Sequence, residues 1–334
     1  MRQPEIGRPL RLFVLVLALL LVAPVARSGW TLLRAGAFLV ELLSDGRWRA
    51  LSTMTPPPLR RRLVVPGAAV DRWLPTGVSS GVPLVLVHGF AKLGKNEPGV
   101  RRAASLLARA GFDVAVPTIP GLTAGRLRPI DAEPVVAALE ARPGPAVLVA
   151  VSVGAGPAFL AAADPRARGR VRTLVSVDGY ASAVELVRFL LTGEYAFGEA
   201  RGRTIREPEA VQAFVTANAD LVDASARRLL AAREPAEAEA AVQDLSPPLR
   251  ALLEALSPVR VAPDVTARLV LIHGRGDRGI PYTESLRLAA ARPEGTRVLL
   301  VGLLGHAEGV PSGWGAADAL RLWGVLYRLL SDGG

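Results

Sequence analysis

Ala150-Val151-Ser152-Val153-Gly154 follows an apolar run and precedes a helix-like stretch, the setting in which a serine can serve as a nucleophile. A sharp strand-to-helix turn lifts the hydroxyl clear of a sheet and aims the helix N-terminus at it. Small neighbours are required because the chain folds back tightly. Ala150 and Gly154 meet that need, with alanine where such turns usually carry glycine. Pro157 must then fall within the first helical turn, since further in it would remove a backbone hydrogen bond. A serine alcohol is a weak nucleophile without a base. Only three histidines are present, His88, His273 and His306, so candidates for that base are few. The chain has no cysteine, which excludes thiolate catalysis, disulfides and cysteine-bound metals; a histidine-rich metal site is not expected either.

His306 and Asp277 complete a possible triad. Asp277 closes Leu271-Ile272-His273-Gly274-Arg275-Gly276-Asp277, just past an apolar run, and His306 closes Gly302-Leu303-Leu304-Gly305-His306, just past the next. In a parallel sheet both loops open on the edge that bears Ser152. The order Ser, Asp, His is the one expected where such a serine turn is used. His306 would take the proton of Ser152, and Asp277 would fix its tautomer and stabilise the imidazolium. Asp178, in Ser176-Val177-Asp178-Gly179-Tyr180, is an alternative acid. A developing oxyanion needs two N–H donors. One is expected from Val153, the other from Phe90 in His88-Gly89-Phe90. His88 and His273 read as structural. Lys92 and Lys95, the only two lysines, read as a solvated loop.

These residues need a sheet to hold them. Leu63 to Val65 and Val70 to Leu74 read as short strands, and 83–87 as a continuous apolar strand buried on both faces. Strands follow at 113–117, 146–151, 171–177, 268–272 and 297–301. Helices are expected near 98–110, 131–141, 154–163, 283–291 and 315–330. This alternation predicts an α/β fold with a mostly parallel sheet covered on both faces, and the opening strands suggest an antiparallel edge. Between about 182 and 262 no strand-like run is visible, only segments rich in Ala, Leu, Glu and Arg. That length is too great for a plain crossover and predicts a helical cap inserted into the sheet domain.

The formal charge of +10 is unevenly spread. Residues 1–62 hold ten arginines against Glu5, Glu41 and Asp45, so seven of the ten surplus charges sit there. They flank an apolar run from Leu12 to Ala26, where anionic headgroups would attract them. Fifteen helical residues rise about 22 Å, short of a hydrocarbon core of roughly 30 Å. The run therefore reads as a short anchor or a signal-peptide core, the uncleaved anchor being the expectation and cleavage with secretion the alternative. Trp30 to Leu43 reads as amphipathic and suited to a membrane surface. Arginines on both sides leave the orientation open. The catalytic domain is expected outside the cytoplasm because the run resembles a signal sequence. Residues 1–58 are thus assigned to the anchor and membrane-proximal segment, and 59–334 to the α/β domain. No basic, aromatic-interleaved face points to a nucleic-acid partner.

Leu-Val-His-Gly-Phe (86–90), Val-Ser-Val-Gly (151–154), Ile-His-Gly-Arg-Gly-Asp (272–277) and Gly-His (305–306) together resemble the α/β-hydrolase superfamily over roughly 60–331. The resemblance implies an eight-stranded sheet, a cap over the site and no required cofactor. Members with this triad are commonly esterases, lipases, thioesterases or peptidases. Carboxylic ester hydrolysis through an acyl-enzyme is the leading expectation, with a lipid-like or hydrophobic acyl substrate. A peptidase or amidase with the same triad is the alternative within enzymes. A non-catalytic binding protein on this fold is the alternative outside them.

Overall fold

The computed structural model describes residues 28–77, 81–205, 208–232, 234–302 and 315–331. The strands are β1 (Leu59–Val65), β2 (Ala68–Leu74), β3 (Val82–Val87), β4 (Phe112–Pro117), β5 (Ala146–Val151), β6 (Val171–Val177), β7 (Glu194–Phe197), β8 (Ala200–Arg203), β9 (Arg268–Gly274) and β10 (Thr296–Val301). Eight of them form one sheet in the order β1-β2-β4-β3-β5-β6-β9-β10. β3, β4, β5, β6, β9 and β10 run parallel, while β2 pairs antiparallel with both β1 and β4. The antiparallel edge and the parallel core are as the sequence predicts. β1 is longer than expected, starting at Leu59 and including Arg60, Arg61 and Arg62.

The helices of eight or more residues are α1 (28–43), α2 (Pro98–Ala110), α3 (Glu133–Glu140), α4 (Ala155–Ala163), α5 (Ala183–Thr192), α6 (Pro208–Ala217), α7 (Ala224–Ala231), α8 (Pro235–Gln243), α9 (Pro247–Ala255), α10 (Thr283–Ala291) and α11 (Ala316–Ser331). Strand side chains alternate between two cores. Val85, Val87, Leu148 and Ala150 join α3 and α4 on one face. Leu84, Leu86 and Val147 join α1, α2 and α11 on the other. Burial on both faces is why these strands read as unbroken apolar runs.

From residue 28 on, the segment expected beside a membrane packs against the body. Ala35 and Phe38 of α1 are buried in the core that α2 and α11 share, and Trp323 Nε1 donates to the Leu32 carbonyl at 2.8 Å. The buried Glu41 carboxylate accepts from the Ser52 amide at 2.7 Å. Trp30, Leu33, Leu42 and Trp48 stay exposed. No helix among the described residues is long and apolar enough to cross a membrane. The run Leu12–Ala26 lies outside the described residues.

The insertion between β6 and β9 holds α5 to α9, as the composition suggests. It also holds the β7–β8 hairpin, which corrects the expectation of helices alone. Each strand has only four residues, joined through Gly198 at φ +58, and the pair is stabilised sideways. Tyr195 meets Tyr282 edge-on at 5.7 Å, and the Arg287 guanidinium stacks over Phe197 at 4.8 Å. Both chain crossings into the insertion are tied together. Tyr180 donates to the Leu256 carbonyl at 2.7 Å, the Ala183 amide to Ser257 Oγ at 2.9 Å, and the amides of Ala181 and Ser182 to Glu284 at 2.8 Å each.

Candidate active site

Ser152 leaves β5 at φ +55, a conformation that an L-residue adopts only when its surroundings impose it. A 3₁₀ turn over Ser152–Gly154 passes directly into α4, with Pro157 in its first turn. The imposing contact comes from the loop after β3. A β-carbon on Gly154 would lie 2.5 Å from the His88 carbonyl oxygen, so only glycine permits this approach. Across the same gap, a β-carbon on Gly89 would lie 3.2 Å from Ser152 Cβ. Ala150, by contrast, has room for its methyl: it is buried between Val87 and Ser176 as register partners. The alanine that departs from the usual pattern therefore fits its place.

His88 is a strut. Its Nδ1–H donates to the Gly89 carbonyl at 2.7 Å, and Nε2 accepts the Ile119 amide at 3.2 Å. Burial lowers its pKa, against the Gly89 hydrogen bond and the charge of Glu97, which favours the neutral ring this pairing needs. The strut joins the loops after β3 and β4 and so fixes Gly89-Phe90 beside the serine. Val153 is buried, whereas Phe90 is 47% exposed and meets Phe214 of the insertion at 6.4 Å. Lys95 is no solvated group: its ammonium lies 2.9 Å from Asp71, and only Lys92 is exposed.

Asp277 lies past β9 and is buried, its Oδ1 accepting the amides of Gly279 at 2.7 Å and Ile280 at 3.1 Å. The fully buried His273 holds the same loop: Nε2–H donates to the Ile280 carbonyl at 2.9 Å, and Nδ1 accepts the Ser285 hydroxyl at 2.8 Å. Asp178 lies past β6 at φ +51, with Oδ1 accepting the Gly274 amide at 2.7 Å. It thus stitches β6 to β9. Asp178, His273 and Asp277 offer ligand atoms within 4.8 Å of one another. Both nitrogens of His273 are engaged, so the trio acts as a loop brace rather than a metal cage. β10 pairs with β9 up to Val301 beside Gly274. His306 follows β10 in the chain and lies outside the described residues.

Two cavities meet at Ser152. One, about 170 Å³, is lined by Phe90, Val153, Leu186, Leu190, Phe214 and Ile280. The other, about 490 Å³, lies towards α2 and is lined by Gly89, Glu97, Val100, Val151 and Asp178. The lining from the insertion was not legible in the sequence, where its leucines read only as helix faces. Glu284, which braces the insertion, was missed as well. An acid in the first turn of a helix gives no sign of being buried.

The alpha/beta hydrolase family model matches residues 84–287, well over half of the chain and the stretch that carries both Ser152 and Asp277. The chain belongs to this family. Among solved structures, this chain is similar to a puromycin-hydrolyzing peptidase of Mycobacterium tuberculosis, with 16% identity and a TM-score of 0.54, over 83% of this chain and 39% of that one. The acylaminoacyl peptidase of Pyrococcus horikoshii gives 14% identity and a TM-score of 0.54, over 85% and 43%. The chain thus spans about two-fifths of these two peptidases. A 2,6-dihydroxy-pseudo-oxynicotine hydrolase gives 18% identity and a TM-score of 0.51, over 88% and 73%. At such identities the likeness establishes the fold. No curated protein matches.

Proposed function

We propose that this alpha/beta hydrolase is a serine hydrolase that cleaves carboxylic esters through an acyl-enzyme. The observation that carries the proposal is Ser152 held at φ +55 on the edge of the sheet, at the junction of two cavities. In this mechanism Ser152 Oγ attacks the ester carbonyl carbon and passes its proton to His306. Asp277 orients the imidazole and stabilises its cation. The N–H groups of Phe90 and Val153 receive the oxyanion. The C–O bond to the alcohol then breaks, and the alcohol leaves with the proton from His306. Water, deprotonated by His306, attacks the acyl carbon and releases the acid and Ser152. The chemistry calls for no cofactor.

An amide-cleaving reading uses the same groups, and one observation favours it. Glu97 and Asp178 line the larger cavity and could receive a substrate amine. A panel of p-nitrophenyl esters and aminoacyl-p-nitroanilides, run beside Ser152→Ala, separates the two. Ester turnover that falls by about 10⁶-fold in the variant supports the proposal. Anilide turnover exceeding ester turnover would move the assignment to an amidase. Ser152-independent behaviour throughout would leave a binding protein.

We further propose that residues 1–58 hold the catalytic domain at a membrane, on its extracytoplasmic side. The arginine surplus and the exposed Trp30, Leu33, Leu42 and Trp48 support this. Membrane fractionation of the full chain with a periplasm-active reporter at its C-terminus is the test. A reporter active only in the cytoplasm overturns the orientation, and a soluble exported product points to cleavage.

A further inference from the structure

Next to the Ser152 chamber, α5, α6, α7 and α9 line a second, inner cavity of about 110 Å³ that is partly open to solvent. Its lining is almost wholly aliphatic, including Val187, Val215, Leu229, Leu249, Leu252 and Leu253. Asn218 is the one polar residue among those lining it, and its NH2 group is committed, donating to the Phe214 carbonyl at 2.8 Å and the Gly125 carbonyl at 3.3 Å. A lining with so few polar atoms offers water few partners and favours an apolar guest. An unfilled void also forfeits the contacts of its lining, so occupation by a ligand would recover them.

The inner cavity and the serine chamber are neighbours. Leu127, Leu186, Leu190 and Phe214 line both, and so form the partition between them. These are residues with side chains on rotatable bonds, carried by α5, α6 and the segment near 127. A straight chain attached to a carbonyl at Ser152 has this partition ahead of it and the aliphatic cavity beyond. A polar group has no partner there.

We propose that the inner cavity is an acyl-chain site. It takes the distal part of an unbranched alkyl chain, octanoyl or longer, whose carbonyl lies at Ser152. This rests on the ester-hydrolase proposal and narrows its substrate class. The larger cavity, with Glu97 and Asp178, is left for the alcohol side. Each methylene buried past the partition contributes about fourfold in kcat/KM.

Two measurements test it, one independent of catalysis. The first is kcat/KM for p-nitrophenyl acetate, butyrate, octanoate and laurate on the wild type, Val215→Phe and Leu253→Phe. The proposal expects a rise from butyrate to octanoate in the wild type, and a laurate-to-acetate ratio at least tenfold lower in both variants. The second is calorimetric binding of laurate to Ser152→Ala, with and without Val215→Phe. Binding that the added phenyl abolishes supports the site even if no ester is turned over, so a failure of the enzyme proposal is told apart from a failure of this one. Melting curves check that the variants fold; should one not fold, the other and the chain-length series decide. No gain beyond butyrate, a ratio unmoved by both phenylalanines, or no binding of laurate overturns the proposal.

Discussion

The carboxyl edge of the sheet and the cap that covers it are built by different rules. At the edge, contact and hydrogen bonding set each atom. Gly154 lies against the His88 carbonyl, His88 spends both nitrogens, and Asp277 is held by two amides. In the cap, aliphatic side chains meet loosely around a void, and its own small core is Leu191, Leu229, Ala232, Ala238, Val242 and Leu245. Polar ties clamp both crossings at its base through Tyr180, Ser257 and Glu284, and a second set, Asp223, Ser225 and Ser246, joins the starts of α7 and α9 away from the void. The difference teaches a division of labour. A nucleophile must be placed to within a fraction of an ångström, which needs a packed frame. A wall that sorts chains by length needs only the right volume and no polar atoms.

That contrast can be broken or sharpened by substitution. The largest effect is expected at the acid. Asp277→Asn should lower kcat/KM by about 10³- to 10⁴-fold by losing the orienting charge. Asp178→Asn should cost less than about tenfold, because an asparagine oxygen can still accept the Gly274 amide. Steady-state kinetics on both variants reads this, and the reverse ranking would hand the role to Asp178. Next comes the frame: Leu148→Ala, in a fully buried β5 position, should destabilise by about 3–5 kcal/mol in urea melts.

Glu284 is expected to give a somewhat smaller effect. Replacement by alanine leaves the buried Ala181 amide and the half-buried Ser182 amide without their acceptor and should cost about 2–4 kcal/mol. Burial raises the Glu284 pKa, against the pull of the Ser182 and Ala181 amides and Arg287. A carboxyl raised on folding adds stability that is full below its unfolded value near 4.5 and is lost as pH rises through the folded one. Glu284→Gln keeps an acceptor and removes that dependence. Its melting temperature should therefore gain on the wild type as pH is raised from about 4 upward. A constant gap across the range would contradict the assignment. The smallest effect belongs to the cap: Leu253→Ala, half-buried at the void, should cost only about 1 kcal/mol. A loss as large as that at Leu148 would show the cap to be as tightly packed as the sheet.

The sheet was legible because burial on both faces leaves a signature that periodicity can find. Strand 84–87 and Ala146–Val151 are unbroken apolar runs, and the loops that end them carry the glycines and the serine. The start of β1 was not legible: Arg60, Arg61 and Arg62 show no alternation, since an edge strand can satisfy charged side chains through Asp71 and solvent. The β7–β8 hairpin was missed because four residues of Glu-Tyr-Ala-Phe carry too short a pattern, and its stability comes from Tyr282 and Arg287, distant in sequence. Lys95 and Glu284 share that cause. Each is defined by a partner that only the fold supplies. The cavities in the cap depend on how helices lean on one another, which no local pattern encodes.

The central claim is that Ser152 is an activated nucleophile. Treatment of the full chain with a fluorophosphonate, followed by peptide mapping in a mass spectrometer, tests it most directly. One adduct on the peptide bearing Ser152, absent from Ser152→Ala and strongly slowed in His306→Ala, is the expected result. A folded protein that takes up no label, or carries it on another residue, would contradict the account.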